Sequence, residues 1–379
     1  MIAYVSTQGA RIIREGKHLL VKKDGDTYNT LFTYRLEQLV VMGNISITPQ
    51  AFKLLMGNNI DTVFLTLSGR YLGRLALAEP KNVHLRKKQF LLSDDQEFSL
   101  RMAKSFVSGK LRNMATLLGR IKRARGHGDA KNRSREVRRI ADRVDQAENL
   151  EQLRGMEGAG SARYFSSLGL GLTRDFGFRK RVRRPPTDPV NAVLSLLYTF
   201  LINRVYAAIR QAGLDPYPGC LHTLEYGRHS LALDLVEEFR PILSDSLMLS
   251  LFNLGVLKEE DFTRPTPEEE PDEGGDALEA ASRDPLGRID HMDDSGMSDL
   301  PGEQTAGPQD RVCEGNLPVR LTPEALKRVI HAFEKRLQAD FFHPRAEKRL
   351  THAQALLFQA RQYRRAVEEG AGYEPLLLK

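Results

Sequence analysis

The sequence predicts an α+β protein in which a small N-terminal β domain, a sandwich or a barrel, precedes a larger helical domain. Three observations predict it. Short β-branched runs punctuated by glycine turns fill the first 85 or so residues. From about residue 90 apolar residues recur at helical spacing with no strand signal. The 379 residues also exceed what one minimal core needs, which favours two domains. The expected division is a β domain over 1–88 and an all-α domain over 89–379.

In the first domain IAYVS, ARII and HLLVKK read as strands, separated by Gly9 and by turns at Glu15-Gly16 and Asp24-Gly25-Asp26. LEQLVVMG reads as a buried strand. Thr48 is an N-cap with Pro49 at the first helical position, opening a short helix that Asn58 and Asn59 end. DTVFLTL closes the domain on the Ser68-Gly69-Arg70 turn. One short helix among about eight strands is the result.

The second domain begins with two helical tracts, FSLRMAKSFVSGKLRNMATLLGRIKRA and REVRRIADRVDQAENLEQLRGMEGAGSARYFSSL, divided by Gly126 and Gly128. DPVNAVLSLLYTFLINRVYAAIRQAG is a long, largely buried helix ending at Gly213. Its apolar window, Val190 to Ile202, is interrupted by Asn191, Ser195 and Thr199 and should fall short of a membrane span. SLALDLVEEF is a helix that Pro241 should interrupt, and ILSDSLMLSLFNLGVL a core helix after it. Thr322-Pro323 caps one further helix, and AQALLFQARQYRRAVEEG closes the fold.

Charge is unevenly placed. Fourteen Asp/Glu and four Lys/Arg lie in 264–311, a tract rich in Pro and Gly that predicts a disordered, tolerated insertion. The formal charge of the whole is +7, so the remaining chain carries +17. A body this basic suits a polyanion, most commonly nucleic acid. Arg123, Arg125, Lys131, Arg133, Arg135, Arg138 and Arg139 form one cluster, and Lys180, Arg181, Arg183 and Arg184 a second that the following prolines should leave projecting. Two cysteines, Cys220 and Cys313, make neither a disulfide framework nor a ligand cluster. With an N-terminus unlike a signal peptide, they point to a soluble, cytoplasmic protein.

The chemistry centres on GLDPYPGCLHTLEYGRHSLALDLVEEFRP, residues 213–241. His222 stands on a loop ahead of a helix on which Asp234 shares a face with Glu237 and Glu238. Upstream, Glu157 is flanked by Gly155, Gly158 and Gly160, glycines that a helix tolerates where backbones must approach closely. Two carboxylates and one imidazole suit Mg²⁺ or Mn²⁺ better than zinc. By composition alone, solvated acids on an amphipathic helix remain the commoner explanation.

The segments GMEGAGSARYF, RRPPTDPVNAVLSLLYTFL, GLDPYPGCLH and SLALDLVEEFRP, in this order, resemble the CRISPR-associated spacer-acquisition integrase family, Cas-one. TQGARIIREGKHLLV, LEQLVVMGNISITPQAFKLL and SGRYLGRL resemble its β domain. The resemblance covers nearly the whole chain outside 264–311. It implies an N-terminal β-sandwich, a helical catalytic domain, a homodimer joined through the β domains, and two such dimers flanking a dimer of the small protein Cas-two. Carried onto this sequence, it puts the catalytic metal ligands at Glu157, His222 and Glu237, with Asp234 supporting them and Arg163, Tyr164, Arg183, Arg184 and Arg240 as candidate DNA contacts. The implied reaction joins the 3′-hydroxyl of a short DNA fragment to a phosphodiester at a CRISPR repeat by transesterification. A metal-dependent nuclease acting on branched DNA in repair, and a DNA-binding scaffold without catalysis, are the alternatives.

Overall fold

A computed structural model of the chain describes residues 1–77, 81–125, 128–182, 185–222, 224–264 and 318–378, with the backbone alone for 122–125. They fall into two compact units, one within residues 1–79 and one from residue 80 onward.

The first unit contains eight strands and one helix. Strands β1 (Ile2–Val5), β5 (Gln38–Met42), β7 (Asp61–Leu65) and β8 (Tyr71–Arg74) form one sheet in that order. β1, β5 and β7 run parallel, and β8 pairs antiparallel with β7. Strands β2 (Arg11–Glu15), β3 (His18–Lys23), β4 (Asp26–Phe32) and β6 (Ser46–Ile47) form the second, ordered β4-β3-β2-β6. Val5, Leu39 and Val41 from one sheet and Ile12, Leu19, Val21 and Leu31 from the other share one apolar core, as the alternation of a sandwich requires. Helix α1 (Pro49–Gly57) adds Ala51 and Leu55 to it, and the Thr48 hydroxyl accepts from the Ala51 N–H, the expected cap.

The second unit is built on helices α2 (Val83–Ser93), α3 (Gln96–Arg125), α4 (Gly128–Ala141), α5 (Leu150–Leu168), α6 (Pro189–Gln211), α7 (Ser230–Val236), α8 (Ser246–Asn253), α9 (Pro323–Gln338) and α10 (His352–Glu369). The α+β class, strands first and helices after, is therefore borne out. Two short ribbons supplement the all-α expectation: β9 (Phe262–Thr263) with β10 (Arg320–Leu321), and β11 (Asp340–His343) with β12 (Lys348–Thr351). The first ribbon pairs segments that flank the acidic tract. The disorder expected of 264–311 otherwise lies outside the described residues.

Three local readings are corrected. Helix α2 runs through position 88, where the sequence was divided; only Leu85 and Gln89 of it are buried, too few to show a helical stripe. Pro241 does not stop the chain's helical course. Residues Arg240–Asp245 form a π-helical turn that leads directly into α8, so the missing proline N–H is absorbed by re-registering the backbone. Helix α6 runs 23 residues and is long and apolar enough to cross a membrane, yet 72% of that window is buried inside its own unit. It is a core helix, capped by Asp188 and ended by Gly213 at φ +81°.

A candidate metal centre built on Glu157, His222 and Glu237

Asp234 organises the local half of the site. Its carboxylate accepts the backbone N–H groups of Cys220, Leu221 and His222 at 2.5, 3.0 and 3.0 Å, and the His222 ring Nδ1 at 2.6 Å. The chain reaches this arrangement because Gly219 packs against Ser230, where a Cβ would collide with the Ser230 backbone and the Asp234 carboxylate. Helix α2 steadies the approach: the Gln89 side-chain amide exchanges hydrogen bonds with the Asp215 backbone at 2.8 and 3.0 Å, and Arg86 pairs with the Asp215 carboxylate at 2.7 Å. The Arg154 guanidinium donates twice to the Leu221 carbonyl, at 2.9 and 2.7 Å, fixing the loop from the α5 side.

On the other side of the ring, His222 Nε2 lies 3.8 Å from Glu237 Oε1. Glu157 comes from α5, brought against α3 where Gly160 leaves no Cβ to strike Leu111. Between the two carboxylates stands the ammonium of Lys110 on α3, 2.5 Å from Glu157 Oε1 and 2.6 Å from Glu237 Oε2. The Ser161 hydroxyl also donates to Glu157 Oε1, at 2.7 Å. Among the described residues no three His, Cys, Asp or Glu groups close on one point tightly enough to grip an ion as they stand. The cation they surround is lysine.

All of these groups are buried. Burial pushes the Glu157 carboxyl up, but the Lys110 charge and hydrogen bond, Ser161 and His222 together hold it below its ordinary value. Burial likewise pushes Lys110 down, and the charges of Glu157 and Glu237 reverse that, raising it. Arg240 Nη1 lies 3.3 Å from Glu237 Oε1, and its guanidinium sits 5.0 Å from the Tyr198 ring centre. The Tyr164 and Tyr198 hydroxyls donate to the two oxygens of Asp245 at 2.6 and 2.7 Å, tying α5 and α6 to the π turn. The next acid, Glu238, points the other way: it accepts from Gln359 on α10, the Tyr373 hydroxyl and the Leu376 N–H, and burial pushes its carboxyl up to about 8.

The structure thus brings Glu157, His222, Asp234 and Glu237 together. It does not leave Tyr164 or Arg240 available to DNA: they are 0% and 2% exposed, held by Asp245 and Glu237. Arg163 is exposed on α5, 3.5 Å from Glu136. Arg183 and Arg184 lie outside the described residues. Arg181, expected to project, turns inward onto Asn191 and Ser195 of α6. Lys131, Arg135, Arg138 and Arg139 line the exposed side of α4. Lys110 escaped the sequence reading, although its spacing from Phe106, Val107 and Met114 puts it on the buried stripe of α3.

A family model described as CRISPR associated protein Cas1 matches residues 3–269. The chain belongs to that family. It is 33% identical to CRISPR-associated endonuclease Cas1 3 of Thermus thermophilus over 381 aligned positions, covering all of this chain and 95% of that protein. It is 35% identical to a CRISPR-associated exonuclease Cas4/endonuclease Cas1 fusion of Rhodospirillum rubrum, covering 68% of this chain and 46% of the fusion. A solved Cas1 protein from Thermotoga maritima shares the fold of this Cas1-family chain, with TM-score 0.75, 19% identity, and coverage of 100% of this chain and 99% of that one. So does a casposase bound to its integration product, with TM-score 0.77, 18% identity, and coverage of 99% and 92%. A Cas6-RT-Cas1–Cas2 complex also matches, at TM-score 0.77 and 23% identity; this chain spans all of its own length but 36% of that chain.

Proposed function

We propose that this Cas1-family protein is a divalent-metal-dependent DNA endonuclease and integrase of CRISPR adaptation. It joins the 3′-hydroxyls of short DNA fragments to phosphodiesters at the edge of a CRISPR repeat. The observation that supports the reading is the buried meeting of Glu157 and Glu237 at the Lys110 ammonium, with His222 Nε2 3.8 Å from Glu237. Oxygen donors with a single imidazole suit Mg²⁺ or Mn²⁺, and these three residues would hold the ion. When bound, the ion supplies charge stabilisation at the phosphodiester and activation of the attacking hydroxyl.

The chain's own residues do the rest. Asp234 keeps the His222 proton on Nδ1 and leaves Nε2 as a ligand, the supporting role expected of a carboxylate behind a metal-bound histidine. With a divalent ion held there, its two charges and those of Lys110 and Arg240 outnumber Asp234, Glu157 and Glu237 by one, so the loaded site attracts phosphate. Rigid positioning by α3, α5 and α7 supplies the alignment that an in-line displacement needs. The exposed basic side of α4 suits the DNA backbone, whose binding would weaken steeply with salt. In the cytoplasm the working assembly would be a homodimer joined through the β units, with two dimers flanking a Cas2 dimer in a heterohexamer.

Strand transfer of a short duplex into a repeat-bearing plasmid, with Cas2 and Mg²⁺ or Mn²⁺, tests this. Joining by the wild type that is lost in His222→Ala and Glu237→Ala, with DNA binding retained, is the expected result. Mutation-sensitive cutting of branched DNA without joining would replace integration with a repair nuclease. Binding without any chemistry would leave only a scaffold.

A further inference from the structure

Lys110 has no part in the family reading, yet no side chain is more central to the site. Lysine is rarely buried so completely, and here it is 1% exposed. Its helix is also pinned from behind. Pro375 of the C-terminal tail packs where a Cβ on Gly109 would be. The Asn113 amide donates to the Glu238 and Leu376 carbonyls at 2.9 and 2.8 Å, and the Leu378 N–H donates back to Asn113 Oδ1 at 2.8 Å. These contacts hold helix α3 in place, so the route by which the ammonium leaves the acids is movement of the lysine side chain.

We infer that Lys110 is a built-in cation that holds the position between Glu157 and Glu237, and that a divalent ion binds only by displacing it from at least one of the two carboxylates. The inference rests on the metal-site reading above. Two consequences share one sign. Without an ion, the ammonium relieves the repulsion of two buried carboxylates and stabilises the metal-free protein. With an ion, it is a like charge a few ångströms away and opposes binding. Both effects lower affinity, so Lys110 sets how weakly the site holds its metal. Removing the charge must then tighten binding, whereas mere damage to the site would loosen it.

The test is a Mn²⁺ titration of the full-length protein without DNA, followed by electron paramagnetic resonance of the free ion. Wild type is compared with Lys110→Met, Glu157→Gln and His222→Ala. Lys110→Met should bind Mn²⁺ roughly tenfold or more tightly than wild type, and its lowered metal-free melting temperature should recover as Mn²⁺ is added. Glu157→Gln and His222→Ala should weaken binding. If the methionine variant does not fold, Lys110→Gln, whose neutral amide still donates to a carboxylate, should show the same tightening. Unchanged or weaker binding in the Lys110 variants, with the two ligand variants still impaired, overturns the inference and leaves the metal site standing. Wild-type binding that neither ligand variant alters puts the ion elsewhere and overturns both.

Discussion

Asp245 offers a test of how this core handles a buried charge. Its carboxyl is completely buried, faced by the Tyr164 and Tyr198 hydroxyls, with the Arg240 and Arg181 guanidiniums nearby. Burial dominates, and it lifts the carboxyl from its ordinary 3.8 to about 6 despite those donors and charges. Because the folded-state value lies above the unfolded one, the folded protein binds more protons between these two limits. The contribution to stability is therefore complete below pH 3.8, is lost as pH rises toward 6, and is constant above it. A shift of roughly two units at about 1.4 kcal/mol each makes the loss about 3 kcal/mol.

Asp245→Asn removes the ionisation while keeping one acceptor for the tyrosines. It carries a fixed penalty from the altered hydrogen bonds, so the informative quantity is the difference between variant and wild type as a function of pH. That difference should move in the variant's favour by about 2 kcal/mol between pH 4 and 6.5. Urea unfolding followed by far-UV ellipticity, which the helical unit dominates, measures it; the chain contains no tryptophan to report instead. All other titrating groups cancel in the difference. A difference that stays flat across this range would mean that Arg240 and Arg181 hold Asp245 ionised throughout, and the desolvation argument would be wrong.

Four further outcomes follow from the packing. Asp234→Asn puts an amide N–H₂ against backbone donors and frees the His222 ring, so Mn²⁺ affinity should fall about 10- to 100-fold, read by the same spin-resonance titration. Gly160→Ala forces α5 away from Leu111; it should cost about 1–3 kcal/mol and lower strand transfer by separating Glu157 from Lys110. Tyr373→Phe removes one of three donors to Glu238, and calorimetry should show a loss of about 1–2 kcal/mol. Replacing residues 264–311 with a short Gly/Ser linker should leave melting temperature and strand transfer near wild type, because Thr263 and Arg320 already pair on either side of that tract.

What the sequence made legible was local chemistry. Thr48 and Thr322 cap helices as their side chains predict, since a cap depends on three residues and little else. Helix α2 was missed because its buried groups serve other segments: Gln89 faces inward to hold Asp215, and a buried glutamine leaves no apolar signature. The break expected at Pro241 became a π turn because Arg240 and Asp245, which flank it, are anchored to Glu237, Tyr164 and Tyr198; tertiary partners outweighed a local rule. Arg240 and Tyr164, candidate DNA contacts by resemblance, are drawn inward by Glu237 and Asp245, distant or buried partners that motif similarity does not reveal.

The site itself divides along this line. His222 and Glu237 lie 15 residues apart, and one carboxylate, Asp234, closes the loop that joins them, so that half is encoded within residues 213–241. The other half, Glu157 and Lys110, exists only when α3 and α5 meet at Gly160 and Leu111 and the C-terminal tail backs α3 at Gly109 and Asn113. A bare acidic half-site could bind cations indiscriminately. On the proposed reading, a lysine from a distant helix ties the tuning of ion affinity to the completed fold, because that competing charge arrives only with the packing that brings Glu157 to Glu237.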